Sequence, residues 1–298
     1  MRFGLLGTGH WARVVHGAAL AAHPDVEFAG VWGRNPEKAA ALADELGVLA
    51  FTEVDELLAE VDAVAVALPP GIQAELATRA AQAGKHLLLD KPLALTVEDA
   101  DTVVRAVEAS GVSSVVFFTN RFRPHIVEVL DQAIATGGWL GGRSTLFGSI
   151  YSEGSPYAES AWRKIHGGLW DIGPHALSLF IPVLGKVTSV SAMEGPRQTF
   201  YVTLRHDGGA VSTMELTLAS AEPAVKFENL FHGESGWLTI GGFESTPVDA
   251  YQRAVSELLA SVPGGGHPLD VHFGREVVAI LAAAEESART GRHIEVGP

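Results

Sequence analysis

The chain contains no cysteine. Disulfides, thiolate nucleophiles and cysteine-ligated zinc are therefore excluded. Positive charge is scarce: 21 lysines and arginines stand against 35 aspartates and glutamates, a formal net charge of −14. Such a balance repels the phosphates of nucleic acids and anionic lipid surfaces, so neither a nucleic acid nor a membrane is expected as a partner. Long apolar runs are missing as well. The stretch from Arg2 to Ala22 leans apolar, but glycines, His10, Arg13 and His16 interrupt it, leaving no continuous hydrophobic segment of a signal peptide. No run of about 18 apolar residues occurs elsewhere, so no transmembrane helix is expected. A soluble, cytoplasmic protein is the default. What remains is ordinary globular composition. Hydrophobic residues make up 47% of the 298 and charged residues 19%, ample for a buried core. At roughly 100–200 residues per domain, two domains are expected.

The first 120 residues alternate strand and helix patterns. Arg2 to Leu6, Val26 to Trp32, Val61 to Leu68, His86 to Asp90 and Val112 to Thr119 read as strands. VDAVAVAL, the third of these, is a continuous apolar run of the kind buried on both faces. Between them lie helical patterns at Trp11 to Ala22, Pro36 to Leu46, Thr52 to Glu60, Gly71 to Ala83 and Thr96 to Ser110. Asn35, Thr52 and Thr96 are candidate N-caps, and Gly47 a candidate helix stop. Strands separated by such helices imply right-handed crossovers and a parallel sheet.

The texture changes after Asn120. A helix at Pro124 to Ala135 and a second, apolar one at Trp170 to Leu184 accompany closely spaced strands: Arg143 to Tyr151, Val187 to Met193, Thr199 to Arg205, Ala210 to Leu218 and Trp237 to Ile240. His206-Asp207-Gly208-Gly209 is a hairpin signal. Two helices, Val248 to Ala260 and Leu269 to Thr290, close the chain around Pro263-Gly264-Gly265-Gly266. The expected class is α/β: an N-terminal Rossmann doubly wound parallel sheet (1–120), then a C-terminal α+β domain with a mostly antiparallel open sheet (121–298).

The first chemical signal is Gly7-Thr8-Gly9-His10-Trp11-Ala12, a G-x-G-x-x-A between a strand and a helix. Gly7 permits the tight turn, Gly9 lets backbone approach a pyrophosphate, and Ala12 lets the helix pack on the strand. An NAD site usually carries Asp or Glu about 20 residues on, bonded to the ribose 2′-hydroxyl. Here the second strand ends in Trp32-Gly33-Arg34-Asn35, with no carboxylate at its tip. Arg34, helped by Lys38, suits a 2′-phosphate, which favours NADP over NAD.

Three segments together resemble the Gfo/Idh/MocA oxidoreductases: Gly7-x-Gly9-x-x-Ala12; Ala83-Gly84-Lys85-His86 running into Asp90-Lys91-Pro92-Leu93-Ala94; and Gly167-Gly168-Leu169-Trp170-Asp171-Ile172-Gly173-Pro174-His175. The resemblance spans essentially the whole chain. It implies an NAD(P)-binding first domain and hydride transfer with a sugar, inositol or related small molecule. It also implies a homodimer or homotetramer formed through the open sheet. By the same resemblance Lys91 lies in the active site, and Asp171 and His175 are catalytic or substrate-binding. Leu68, Pro69, Pro70 and Gln73 follow a Rossmann strand on the nicotinamide side; the family often has histidine where Gln73 stands. Asn120 and Arg121 are candidates for lining the cleft, and Trp162-Arg163 for reaching cofactor or substrate. Asp90 replaces the usual glutamate, Ser178 stands where many members have aspartate, and the second domain is short for the family.

The chemistry is consistent on its own terms. Hydride transfer from an alcohol carbon leaves a hydroxyl proton that a side chain must take. Lys91 follows a buried strand at the end where doubly wound folds place ligands. As a cation it can polarise a substrate oxygen. Asp171 and His175 are four residues apart and share one face of a helix, where a carboxylate can orient an imidazole. A surface lysine, a capping aspartate and a core histidine are the bland alternatives. Other functions on the same fold are a non-catalytic NAD(P)-binding sensor and a redox-assisted glycosidase with retained cofactor.

Overall fold

The computed structural model describes residues 1–241, 244–262 and 266–297. Of the Pro263–Gly266 break, all but the last residue lies outside the described residues. The chain forms two compact units, Met1–Phe122 with Ser245–Arg275, and Arg123–Glu244 with Glu276–Pro298.

In the first unit the strands are β1 (Arg2–Leu6), β2 (Glu27–Trp32), β3 (Leu49–Phe51), β4 (Ala63–Val66), β5 (His86–Asp90) and β6 (Ser114–Phe117). They form one sheet in the order β3-β2-β1-β4-β5-β6, with every pairing parallel. The direction of winding reverses between β1 and β4, the point where such sheets open a crevice at their carboxyl ends. β4 is buried along its whole length, as its unbroken apolar sequence requires. The chain is helical over residues 10–22, with π-helical turns at Ala12–Gly17 leading into α1 (Ala18–Ala22). The other crossovers are α2 (Pro36–Leu46), α3 (Val54–Glu60), α4 (Pro70–Gln82) and α5 (Val97–Ser110). Asn35 and Thr96 cap α2 and α5 through their side chains, and Gly47 ends α2 in the left-handed conformation. Thr52 is no cap: α3 starts after Glu53 with no side-chain bond at its N-terminus. β3 was not read from the sequence. Three residues after a helix-stopping glycine are too few to show a period.

The second sheet runs β12-β11-β7-β10-β9-β8-β13. Its strands are β7 (Trp139–Phe147), β8 (Val187–Gly195), β9 (Thr199–His206), β10 (Val211–Thr217), β11 (Lys226–Gly233), β12 (Gly236–Ile240) and β13 (Ile294–Glu295). In this sheet, among the described residues, only β7 and β10 pair in parallel; the other pairings are antiparallel. The hairpin at His206–Gly209 joins β9 to β10, with Gly209 at φ 88°. α6 (Pro124–Thr136) precedes β7, and α7 (Ala161–Leu184) covers one sheet face. α7 begins well before Trp170 and is interrupted at Gly167, at φ 58° and ψ −155°. β11 and β13 were not anticipated. In β11, KFENLFHG scatters charge among its apolar residues, so no clean alternation marks it.

The last helices are α8 (Pro247–Ser261) and α9 (Val271–Thr290). A boundary at Asn120 gave all of 121–298 to the second domain. Instead, Ser245–Arg275 belongs to the first unit. α8 buries Ala250, Tyr251, Ala254, Val255 and Leu258 there, against α1 and the β5–β6 side of the sheet. The apolar stripe is visible in the sequence, but a stripe does not name the surface it covers.

Candidate active site

At the reversal point the ends of three strands meet around Gly7. Its N–H donates to the Trp32 carbonyl over 2.8 Å, while the Ala67 N–H donates to the Leu6 carbonyl over 2.9 Å. Gly7 sits at φ 137°, and a Cβ there would collide with the Ala67 carbonyl, so only glycine fits. Gly9 is exposed, and a Cβ built on it meets no atom within 4 Å. Open space against a bare backbone at a helix start is what a pyrophosphate needs. Ala12 is fully buried beneath the turn. Thr8 packs its side chain on Gly33, which ties the glycine turn to the end of β2. These residues fit a dinucleotide. Beside them Arg34 and Lys38 are exposed, and neither pairs with a carboxylate among the described residues. Asn35 is committed as the cap of α2, accepting from the Lys38 N–H at 2.9 Å. His10 is exposed and Trp11 half-buried; Leu68 and Pro69 are half-buried past β4, where Pro70 opens α4.

Lys91 follows β5 directly and is half-buried. Its backbone N–H donates to Asp90 Oδ1 at 2.8 Å. Gln73, fully buried on α4, clamps the same turn. Its Nε2 donates to the Asp90 carbonyl at 2.6 Å and the Pro92 carbonyl at 3.1 Å, and its Oε1 accepts from the Asp90 N–H at 3.0 Å. Gln73 was expected to touch cofactor. Its amide is instead used inside the protein, fixing the backbone that carries Lys91. Asn120 and Arg121 are half-buried on the single turn Thr119–Phe122 after β6.

In the second unit the break at Gly167 restarts α7 just before Asp171. Gly168 abuts the Thr217 backbone, where a Cβ would come within 2.9 Å of the Thr217 Cα, so the new helix start lies tight on β10. Asp171 is buried. Arg163 Nε donates to its Oδ2 at 2.8 Å. The guanidinium lies 4.6 Å from the ring centres of both Tyr157 and Trp162. Tyr151 donates its hydroxyl to the Arg163 carbonyl at 2.9 Å. Burial raises the Tyr151 pKa and the Asp171 charge raises it further, so the phenol stays a donor. His175, one turn beyond Asp171, is half-buried. Ser178 donates to the His175 carbonyl at 2.8 Å, within its own helix. The structure thus brings Trp162, Arg163 and Asp171 into one cluster. The sequence reading had treated the arginine and the carboxylate separately.

Comparison with known proteins identifies the family. Residues 1–118 match the GFO/IDH/MocA oxidoreductase family with its NAD-binding Rossmann fold, and residues 130–239 match the GFO/IDH/MocA C-terminal domain. The chain belongs to the GFO/IDH/MocA family. Among relatives, it is 27% identical to D-xylose 1-dehydrogenase (NADP(+)) 2 of Haloferax volcanii, over 99% of this chain and 100% of that one. It is 30% identical to an uncharacterised oxidoreductase of Synechocystis, over 82% of this chain and 70% of the relative. The crystal structure of the WlbA dehydrogenase of Bordetella pertussis, in complex with NADH and UDP-GlcNAcA, superposes with a TM-score of 0.86 at 26% identity, covering 100% of this chain and 99% of the other. No helix among the described residues is long and apolar enough to cross a membrane.

Within this GFO/IDH/MocA fold, two residues near the Lys91 turn escaped the sequence reading. His16 and Tyr251 are both fully buried, and His16 Nε2 lies 3.4 Å from Asp90 Oδ2. The available signal was a histidine in an otherwise alanine- and valine-rich helix. Tyr251 gave none, because its helix had been assigned to the other domain.

Proposed function

We propose that the chain is a dehydrogenase or reductase, NADP-preferring, acting on a sugar-, inositol- or similar small hydroxy or keto compound. The observation that carries this reading is Lys91, held at the end of β5 beside the reversal point by Gln73 and Asp90. The nicotinamide, when bound, supplies the hydride acceptor or donor. The chain's own residues handle the oxygen and its proton. The Lys91 ammonium orients the substrate and polarises its oxygen, favouring the alkoxide over the alcohol. His175 takes the hydroxyl proton in oxidation and returns one in reduction. Asp171, held as a carboxylate by Arg163, lies one turn before His175 and orients that face of the helix. Trp162 and Arg163 frame the substrate side of the same cluster.

The nicotinamide preference rests on Arg34 and Lys38, exposed and without a carboxylate partner among the described residues, past a strand end that lacks an acid. The Haloferax volcanii relative carries NADP(+) in its name. A homodimer or homotetramer through the sheet of the second unit is part of the proposal. Met193 and Tyr201, cross-strand neighbours, are 70% and 48% exposed on it. Light scattering reads the mass directly.

The deciding experiment follows nicotinamide absorbance with NAD(H) and NADP(H) separately against D-xylose, D-glucose, myo-inositol and the matching keto compounds. Turnover with at least one compound, faster with NADP(H), is expected. Nucleotide binding without turnover across the panel would replace the enzyme reading with that of a sensor.

A further inference from the structure

The dinucleotide-binding unit buries a polar cluster that the proposed reaction does not use. His16, on the π-helical turns after the glycine loop, and Tyr251, on α8, are both fully buried. Their ring centres lie 4.1 Å apart, and Phe117 meets both edge-on, at 6.3 Å and 4.7 Å. Neither nitrogen of His16 nor the Tyr251 hydroxyl has a hydrogen-bond partner among the described residues. A buried polar atom left in that state costs about 1–3 kcal/mol. Leucine at position 16 and phenylalanine at 251 would remove that cost, so the use of the cluster is to be sought in the charged group it faces.

That group is Asp90. Its Oδ2 lies 3.4 Å from His16 Nε2, an ion-pair separation without the alignment of a hydrogen bond. Burial, with the Asp90 charge adding to it, raises the Tyr251 pKa well above its ordinary value, so the phenol keeps its proton. Asp90 Oδ1 meanwhile accepts from the Lys91 N–H at 2.8 Å. One carboxylate therefore links the buried imidazole to the turn that carries Lys91. Bonds of this kind are often long before ligands bind and tighten in the complex.

We propose that His16 is a positioning residue for Lys91, acting through Asp90. Its Nε2–H holds Oδ2 on the inner side, Oδ1 stays on the Lys91 amide, and the Tyr251 ring sets the plane of the imidazole. This inference rests on the reading of Lys91 given above. It also gives the aspartate at position 90 a purpose: the shorter side chain turns inward to its own turn and to His16, not outward to the cofactor.

Two measurements on the full chain test it, and neither needs turnover. In the first, long-range proton–nitrogen spectra of imidazole-labelled protein report the tautomer of His16, assigned by the signal lost in His16→Gln. The Nε2-protonated form is expected, with its resonance shifted in Asp90→Asn. The Nδ1-protonated form overturns the proposal. In the second, trace acetylation with acetic anhydride is followed at Lys91 by mass spectrometry, with Lys85 as internal reference. His16→Leu should change the Lys91 rate about threefold or more. His16→Gln, whose amide nitrogen can replace Nε2, should restore it. An unchanged rate in a cooperatively melting His16→Leu protein overturns the proposal. Should that variant fail to fold, the wild-type tautomer still decides. A positive outcome together with full activity in Lys91→Met would keep the positioning and sink the function.

Discussion

Two buried polar clusters, one in each unit, are held in opposite ways. In the second, Asp171 is held by Arg163, Ser178 by the His175 carbonyl, and His206 between the Gly185 carbonyl and the Ser212 hydroxyl, each at 2.8 Å. In the first, His16 and Tyr251 carry no such bonds among the described residues, and the closest charge is Asp90 at 3.4 Å. A satisfied network fixes its geometry unaided. An unsatisfied one leaves a choice, which a neighbouring group or a ligand can settle. On this comparison the second unit presets its Asp171 carboxylate through Arg163, whereas the first leaves the buried His16 imidazole beside Asp90 without a hydrogen bond among the described residues.

The largest effect should come from removing the proposed chemistry from either unit. Lys91→Met and His175→Ala should each lower kcat roughly a hundredfold or more. Nucleotide affinity should stay within about twofold, because neither replaces a group at the glycine turn. Steady-state kinetics with fluorescence titration of NADPH checks both, and normal turnover in the pair would reject the assigned roles. Next comes Gly9→Val, whose side chain enters space open in the structure. Nucleotide affinity should fall about tenfold or more, roughly 1.4 kcal/mol, with the thermal midpoint unchanged. Gly7→Ala should instead lower the midpoint, since its Cβ strikes the Ala67 carbonyl. If both variants lost only affinity, the division between an open and a packed glycine would be wrong.

Arg34→Ala sharpens the cofactor side of the comparison. Binding of NADP(H) should weaken several-fold to about tenfold and that of NAD(H) far less, the difference being one charge-assisted contact of about 1.5 kcal/mol. Equal weakening would remove the basis for the NADP preference. The smallest effect concerns His206. Burial lowers its pKa, outweighing the Gly185 bond and the Asp207 charge that raise it. The neutral folded form is therefore favoured. Below an ordinary histidine pKa of about 6.5 the unfolded chain takes up a proton before the folded one does, so stability falls as the pH drops through and below that value. Denaturant titrations between neutral and mildly acid pH should show this slope. His206→Phe should flatten it, while costing about 1–3 kcal/mol at neutral pH for the partners left behind. A slope unchanged in the variant would move its origin elsewhere.

Much of the first unit was legible because its signals are local. A strand, a glycine turn and a helix start lie within ten residues, and caps such as Asn35 and Thr96 name their own helices. The second sheet was less legible. β11 pairs with β7 across 79 to 94 residues, from Lys226↔Phe147 to Gly233↔Trp139, and nothing in KFENLFHG announces that partner. At the candidate site, residue types were readable but loyalties were not. Gln73 looked like a cofactor contact, and its bonds run instead to Asp90 and Pro92. Asp171 looked like the partner of a histidine, and the structure adds Arg163, eight residues earlier across a helix break that only the Gly167 backbone reveals. His16 was visible only as an interruption in an apolar stretch, because the sequence does not say that Asp90 and Tyr251 are waiting beside it.

The return of Ser245–Arg275 to the first unit bears on any attempt to divide the gene. A fragment cut after Phe122 would carry the complete parallel sheet yet lack the strip whose Tyr251 packs on His16 and Phe117, and would be expected to aggregate. The same fragment joined by a short linker to 245–275 would restore that cover. Nicotinamide-binding modules borrowed from this protein therefore have to be spliced from two exon-like pieces, not clipped from one end.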